Sequence, residues 1–285
     1  MNDNAIKITG LLPTIKDSRN YQLGDIVQLP SLEELPDSFS LTPLSVKNQI
    51  DDFCTAAATV GMSELQEKVE LSWRYSMALS KELSGNPNQW GQDLPTAMKT
   101  HQKLGALELT DSPLEGNYDS NFLRDIDNWP VELKEKIANH RKEAYAEISG
   151  PYDAFDNIRA SIWKFKDEER AVGLGLTWSW PLSIPLIDKV QSGGSGHMVY
   201  TIGWKDKDYL IIQNSYGIKN GDKGKFYIHR DVINHYFDIF SAFMFIDMKP
   251  EDVKELIENE LKIEDNMLYK WLVIFKNFIR SIFKR

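Results

Sequence analysis

Between residues 54 and 165 the apolar positions recur at three- and four-residue steps, and beyond residue 171 they crowd into short runs. The first pattern predicts helices. Over 54–68, Ala56, Ala57, Val60, Leu65 and Val69 fall near helical spacing, and Ala58 adds a strong helix former. Trp73–Leu83 reads as a second helix. Leu94–Leu104 reads as a third, entered through Asp93 and Pro95 and ended by Gly105. Val131–Ile148 brings Val131, Ile137, Ala144, Tyr145 and Ile148 near one face, which predicts an amphipathic helix. Tyr152–Phe165 predicts another, with Asp153 placed to cap it. The second pattern predicts antiparallel strands at Ala171–Trp178, His197–Trp204, Tyr209–Asn214, Gly224–His229 and Ala242–Met248. These runs are β-branched and aromatic, bounded by Gly, Asp and Lys. Helices first and sheet second give an α+β chain.

Residues 1–45 carry Pro13, Pro30, Pro36 and Pro43 and read as an extended lead-in with short strands, not as a globular unit. Residues 110–130 are turn-rich. The main domain is expected over 46–248, and 249–285 forms a separate tail. At 285 residues and 42% hydrophobic, the chain can bury a large core in one domain or two lobes. A net charge of −9 argues against nucleic acid as the main partner, because phosphate binding needs a basic footprint. No signal peptide is evident in the mixed charged and apolar run at 1–20, and no run approaches the ~20 apolar residues of a membrane span.

Cys54 is the only cysteine and cannot form an internal disulfide, which points to a reducing compartment. The chain reads as cytoplasmic, or as packaged in a particle assembled there. Four further histidines, His101, His140, His229 and His235, show no metal-ligand spacing and are expected at the surface. Gly193–His197 is not a nucleophile elbow, since its fifth position is His. Neither Gly173–Gly175 nor Ser192–Gly196 leads into a helix with a Lys, which removes a phosphate loop.

Three segments carry candidate chemistry. Gln49 stands five residues before Cys54, Ser195-Gly196-His197-Met198-Val199 follows far downstream, and Gln213-Asn214-Ser215-Tyr216-Gly217 comes next. Their order resembles the Gln, Cys, His and Asn boxes of the papain-like cysteine peptidases. The separation of 143 residues from Cys54 to His197 fits the roughly 130–150 expected of that family. Asp17-Ser18-Arg19 resembles the segment that precedes the catalytic domain in bacterial and phage members. A helical inhibitory pro-segment is absent, so activation by propeptide removal is not expected.

The resemblance implies a two-lobed fold, with a helical N-terminal half, an antiparallel β C-terminal half and a cleft between them. It implies a cysteine-type peptidase acting on peptide or protein substrates through an acyl-enzyme on Cys54, with neither metal nor cofactor. Only the thiolate is a nucleophile, and an ordinary thiol near pKa ~8.5 is mostly protonated at neutral pH. A helix start at Cys54 would favour the anion. His197 would take the proton, Asn214 would orient the ring, and Gln49 would offer its amide to the oxyanion. Glycines 193, 194 and 196 would let backbone pass close to a substrate.

The sequence also departs from the family pattern. Ile50 replaces the glycine after Gln49, and the step from Gln49 to Cys54 is one residue short. Thr55 replaces the Trp after the nucleophile, Tyr216 replaces the Trp near the His–Asn pair, and Asp51 replaces a second cysteine. Asp51 and Asp52 would oppose a thiolate, or stand solvated on the cleft rim. These departures motivate the alternative of a catalytically weak or inactive fold serving as a binding or virion-associated structural protein. An amidase or transglutaminase-type acyl transferase is a third reading.

The tail reverses its charge along its length. Residues 251–265 are acidic, whereas 266–285 carry five basic residues and no acid, with Leu268, Trp271, Leu272, Phe275, Phe278, Ile279, Ile282 and Phe283 at helical steps. A basic amphipathic helix of this kind is expected to dock on a partner protein or a membrane surface.

Overall fold

The computed structural model describes residues 10–14, 16–49, 51–112, 123 and 125–246. The acidic and basic halves of the tail, 251–285, lie outside the described residues, as do the last two positions of the expected strand Ala242–Met248.

Three helices form the body of the helical side: α2 (Cys54–Glu67), α3 (Trp73–Leu83) and α4 (Leu94–Lys103), after a single-turn α1 (Leu23–Ile26). Their starts are capped as the side chains require. Ser72 accepts from the Tyr75 N–H and Asp93 accepts from the Thr96 N–H, so orphan donors in the first turns are satisfied. Lys68, in a left-handed conformation, closes α2.

The expected strands are present as β4 (Val172–Trp178), β6 (Ser195–Lys205), β7 (Tyr209–Gln213), β8 (Lys225–His229) and β9 (Ala242–Ile246). Three further strands join them from earlier in the chain: β1 (Tyr21–Gln22), β2 (Phe39–Ser40) and β3 (Ala144–Glu147), with β5 (Leu186–Ile187) at the far edge. The order is β1-β3-β9-β4-β6-β7-β8-β5, and β2 pairs with β6. The central pairs β4–β6, β6–β7 and β7–β8 are antiparallel. The outer β1–β3 and β5–β8 pairs are parallel. The architecture is α+β.

Val131–Ile148 is not one helix. Helix α5 covers only Val131–Ala138, and the chain re-enters as β3, where Ala144 and Ala146 are buried while Tyr145 and Glu147 are only partly so. The apolar positions 137, 144, 145 and 148 fit a helical period by number alone. Pairing of β3 with β9 decides against it, with Ala144 opposite Ile246. Tyr152–Phe165 is helical as α6 (Ala154–Lys164), capped by Asp153. Helix α7 (Arg230–Phe240) follows β8 directly, and its buried Val232, Ile233, Tyr236 and Phe240 carry a helical spacing hidden among strand-like runs.

His101 is another departure from expectation, because it is fully buried. It links all three helices of the helical side: Ser63 Oγ lies 3.0 Å from Nδ1 and Ser76 Oγ 3.0 Å from Nε2. Serine hydroxyls can donate or accept, so the neutral ring is satisfied in either tautomer. Burial, and after it the Lys142 charge, depress its pKa to about 3. The unfolded chain therefore binds a proton that the folded chain refuses between about pH 3 and the ordinary histidine value near 6.5. Stability contributed by this group is present above pH 6.5 and is lost as pH falls through that window, by about 1.4 kcal/mol per pH unit at most. In thermal unfolding followed from pH 7 to 4, His101→Gln is expected to flatten the acid-side fall in Tm. An unchanged slope would show that His101 does not govern it.

Candidate active site

Cys54 opens α2, and the three preceding residues form a turn with Asp51 at φ +47°. Helix α2 lies against β6, so the first helical turn reaches the strand beside His197. Backbone N–H groups of Met198, Gly10 and Thr55 face the Cys54 sulfur. The thiol has 0% exposure. Burial pushes its pKa up to about 11; the Met198 and Gly10 amides pull it back, and the Asp52 charge pushes it further up. The helix start alone does not make a thiolate here, because desolvation outweighs it.

His197 and Asn214 are also brought together. His197 Nε2 lies 2.9 Å from Asn214 Oδ1, and the same oxygen accepts from the Ser215 N–H at 2.7 Å. That second bond fixes the orientation of the Asn214 amide. An acceptor at Nε2 requires the proton on Nε2, which leaves Nδ1 as the basic nitrogen of the neutral ring.

Tyr216 stacks on the ring, centroids 4.6 Å apart and planes 8° from parallel, with its hydroxyl 3.3 Å from Nδ1. Burial, and after it the nearby Cys54 sulfur, push the phenol pKa up and keep it protonated. Trp178 closes the other side edge-on, 5.5 Å from the His197 ring. Trp178 lies in the strand paired with β6 and was not singled out among the candidate residues; its position opposite Ser195 is the signal that links it to the His box.

Gln49 completes the cluster. Its backbone N–H donates to the Ser215 carbonyl at 2.7 Å, its Oε1 accepts from the Ser215 hydroxyl, and its Nε2 lies 3.4 Å from the Asp51 carbonyl. The amide nitrogen thus faces the turn that delivers Cys54. The segment is fastened below by a buried ion pair, Lys47 Nζ to Glu64 Oε1 at 2.5 Å. Glu64 also accepts from the Leu71 N–H and the Ser45 hydroxyl. The Lys47 carbonyl accepts from the Gly217 N–H at 2.9 Å, so the Gln box and the Asn box are tied by backbone and side chain alike.

The cleft holds part of the chain itself. The Leu11 N–H donates to the carbonyl of Gly196, the residue before His197, at 2.9 Å. On the opposite wall the Gln92 N–H donates to the Gly10 carbonyl at 2.7 Å, and the Leu12 N–H to the Gln92 carbonyl at 3.1 Å. Residues 10–12 therefore bridge the helical and sheet sides as an extended strap. The fit depends on glycine. A Cβ on Gly10 would lie 2.1 Å from the Asp52 carbonyl oxygen, and one on Gly196 2.1 Å from the Leu11 carbonyl oxygen. Leu11 is buried over Gly175, beside Phe240. The place of this part of the lead-in in the cleft, bridged to Gln92 through Leu11, was not foreseen. The apolar Gly10-Leu11-Leu12-Pro13 in an otherwise polar stretch was the available signal.

No family model matches the sequence, and no curated protein matches it. Solved structures do. The structure of xylellain, a cysteine protease from Xylella fastidiosa, superposes with a TM-score of 0.65 at 16% identity, over 85% of this chain and 96% of that one. The chain has a papain-like fold. A procathepsin B from Trypanosoma congolense matches with a TM-score of 0.60 at 15% identity, over 83% of this chain and 85% of that one. A Carica candamarcensis cysteine protease in complex with E-64 matches with 0.54 at 17%, over 75% and 100%.

Among the described residues of this papain-like chain there is no group of side chains arranged to hold a metal, and no helix long and apolar enough to cross a membrane. Cutting the tie beneath the Gln box should be costly, since removing one partner of a buried pair strands the other charge. Lys47→Met is expected to lower unfolding stability by about 3–5 kcal/mol in chemical denaturation. A loss below about 1 kcal/mol would show that Glu64 is sustained by its other donors.

Proposed function

We propose that the chain is a cysteine-type peptidase that hydrolyses peptide bonds through an acyl-enzyme on Cys54, and that residues 10–12 hold it closed. The supporting observation is the His197–Asn214 bond, which leaves the basic ring nitrogen facing Tyr216, itself beside Cys54, while Ser215 ties Asn214 to Gln49. When the strap leaves, water reaches the sulfur and the burial that holds the thiol neutral is relieved. His197 Nδ1 takes the thiol proton, and Sγ attacks the substrate carbonyl carbon to form a tetrahedral oxyanion. In this mechanism the Gln49 amide and the backbone N–H at Cys54 receive that charge. Collapse breaks the C–N bond, with the proton passing from His197 to the leaving amine. Water, deprotonated by the same ring, then releases the acid and restores the thiol.

The strap is not itself a substrate in this pose. The sulfur meets an amide N–H of Gly10, and the Gly10 carbonyl is taken by Gln92. Three backbone hydrogen bonds at about 0.5–1.5 kcal/mol each, with one buried leucine at about 1.5–3, hold it by several kcal/mol. Such a contact dominates at rest yet yields to a competing ligand. The second reading, a catalytically silent fold used for binding, is favoured by the full burial of Cys54.

Gly10→Ala separates the two readings, because its Cβ would collide with Asp52 without altering His197, Asn214 or Gln49. An overpacking penalty of about 1–3 kcal/mol should raise hydrolysis of a peptide library roughly tenfold over the unaltered chain. Cys54→Ala should abolish it. Absence of hydrolysis in both the unaltered chain and Gly10→Ala would favour the silent fold.

A further inference from the structure

Asp51 and Asp52 were expected to oppose a thiolate, or else to stand solvated on the rim of the cleft. Asp51 is exposed, but Asp52 is buried. The Asp52 carboxylate accepts from Lys81 Nζ at 2.7 Å and from the backbone N–H of Gly91 through the same oxygen. The Lys81 ammonium, from the last turn of α3, also donates to the Gly91 carbonyl at 3.2 Å and to the Gln89 carbonyl. One ion pair thus joins three separate pieces: the turn before Cys54, the end of α3 and the loop at 86–92.

The consequence lies one residue further on. Gly91, at φ +78°, turns its N–H inward to Asp52, and the next amide, at Gln92, points into the cleft and binds the Gly10 carbonyl. Fixing the first amide fixes the direction of the second. Gln92 is the edge against which an extended backbone pairs, as the strap does by a parallel bridge. We propose that Asp52, acting with Lys81, is a positioning residue that holds the peptide-binding edge at Gly91–Gln92 in register with the nucleophile turn. The assignment rests on the peptidase reading for its purpose, though not for its geometry.

Asp52 also works against the nucleophile, since its charge raises the thiol pKa. A carboxylate two residues from a nucleophilic thiol makes sense if its structural task outweighs that penalty and Lys81 offsets its charge. The ionisable groups around the pair are Cys54, Asp51, Arg74 and Glu82, the last three lining the same cavity of about 310 Å³ beside Phe53 and Trp90.

The test uses the full chain with Asp52→Ala, Asp52→Asn and Lys81→Gln. Hydrogen exchange at the Gly91 amide should rise about tenfold or more in Asp52→Ala, which removes a charged acceptor, and less in Asp52→Asn, which keeps one. The KM for peptide should rise about tenfold in Asp52→Ala with kcat changed less, because binding and not chemistry is disturbed. The pH midpoint of Cys54 alkylation should move down in Asp52→Asn and up in Lys81→Gln. Wild-type exchange at Gly91 together with wild-type KM in Asp52→Ala would overturn the proposal. If no variant hydrolyses peptide, the exchange and alkylation results still decide the clamp, and only the peptidase reading fails. If Asp52→Ala does not fold, Asp52→Asn and Lys81→Gln carry the same comparison.

Discussion

Everything at the site depends on how closely α2 can seat on β6. At Gly61 a Cβ would lie 2.5 Å from the Tyr200 ring, and at Gly173 one would lie 2.7 Å from Met198 and 2.8 Å from Met62. Glycine at these two positions, one on the helix and one on the sheet, lets the Tyr200 ring and the Met62 and Met198 side chains fill the space between the layers. The helix then ends its approach with Cys54 against the Met198 amide, next in the chain to His197. Residue 54 and the strand that carries His197, 143 positions apart in the chain, come together at this packed layer.

Around that contact, polar ties do the fastening in a chain with one cysteine. Lys47–Glu64 secures the Gln box from below, Asn214 and Ser215 join it to the His box, and Asp52–Lys81 secures the opposite wall. The same packing sets the electrostatics. With residues 10–12 in place, desolvation dominates, and the thiol is neutral across the physiological range. Under the proposed peptidase reading, activity and closure are two states of one environment: removing the strap would both open a path to the sulfur and return the water that a thiolate needs.

Much of this was legible in the residues. The helices at Cys54–Glu67, Trp73–Leu83 and Leu94–Lys103 followed from their spacing and caps, and the central strands from their β-branched runs. The three boxes pointed to one site because their order and separation agreed. What was hidden depended on long-range partners. β3 is a strand because β9 pairs with it, although its period also fitted a helix. Asp52 reads as a surface acid until Lys81, 29 residues away, and Gly91, 39 residues away, close on it. His101 reads as a surface histidine until Ser63 and Ser76 arrive from neighbouring helices. The strap was the least legible, since neither Gly10 nor Leu11 carries chemistry of its own and both act through backbone bonds.

The central claim is that Cys54, His197 and Asn214 form one working unit that residues 10–12 cover. Intact-mass measurement of labelling at pH 6 by an epoxide that targets activated thiols tests it most directly. The account predicts one adduct on Cys54, formed faster in Gly10→Ala than in the unaltered chain, and faster there than on free cysteine, which is almost wholly protonated at that pH. Adding His197→Ala should return the rate to that of an ordinary thiol. Labelling in Gly10→Ala no faster than free cysteine, or unaffected by His197→Ala, would contradict the account.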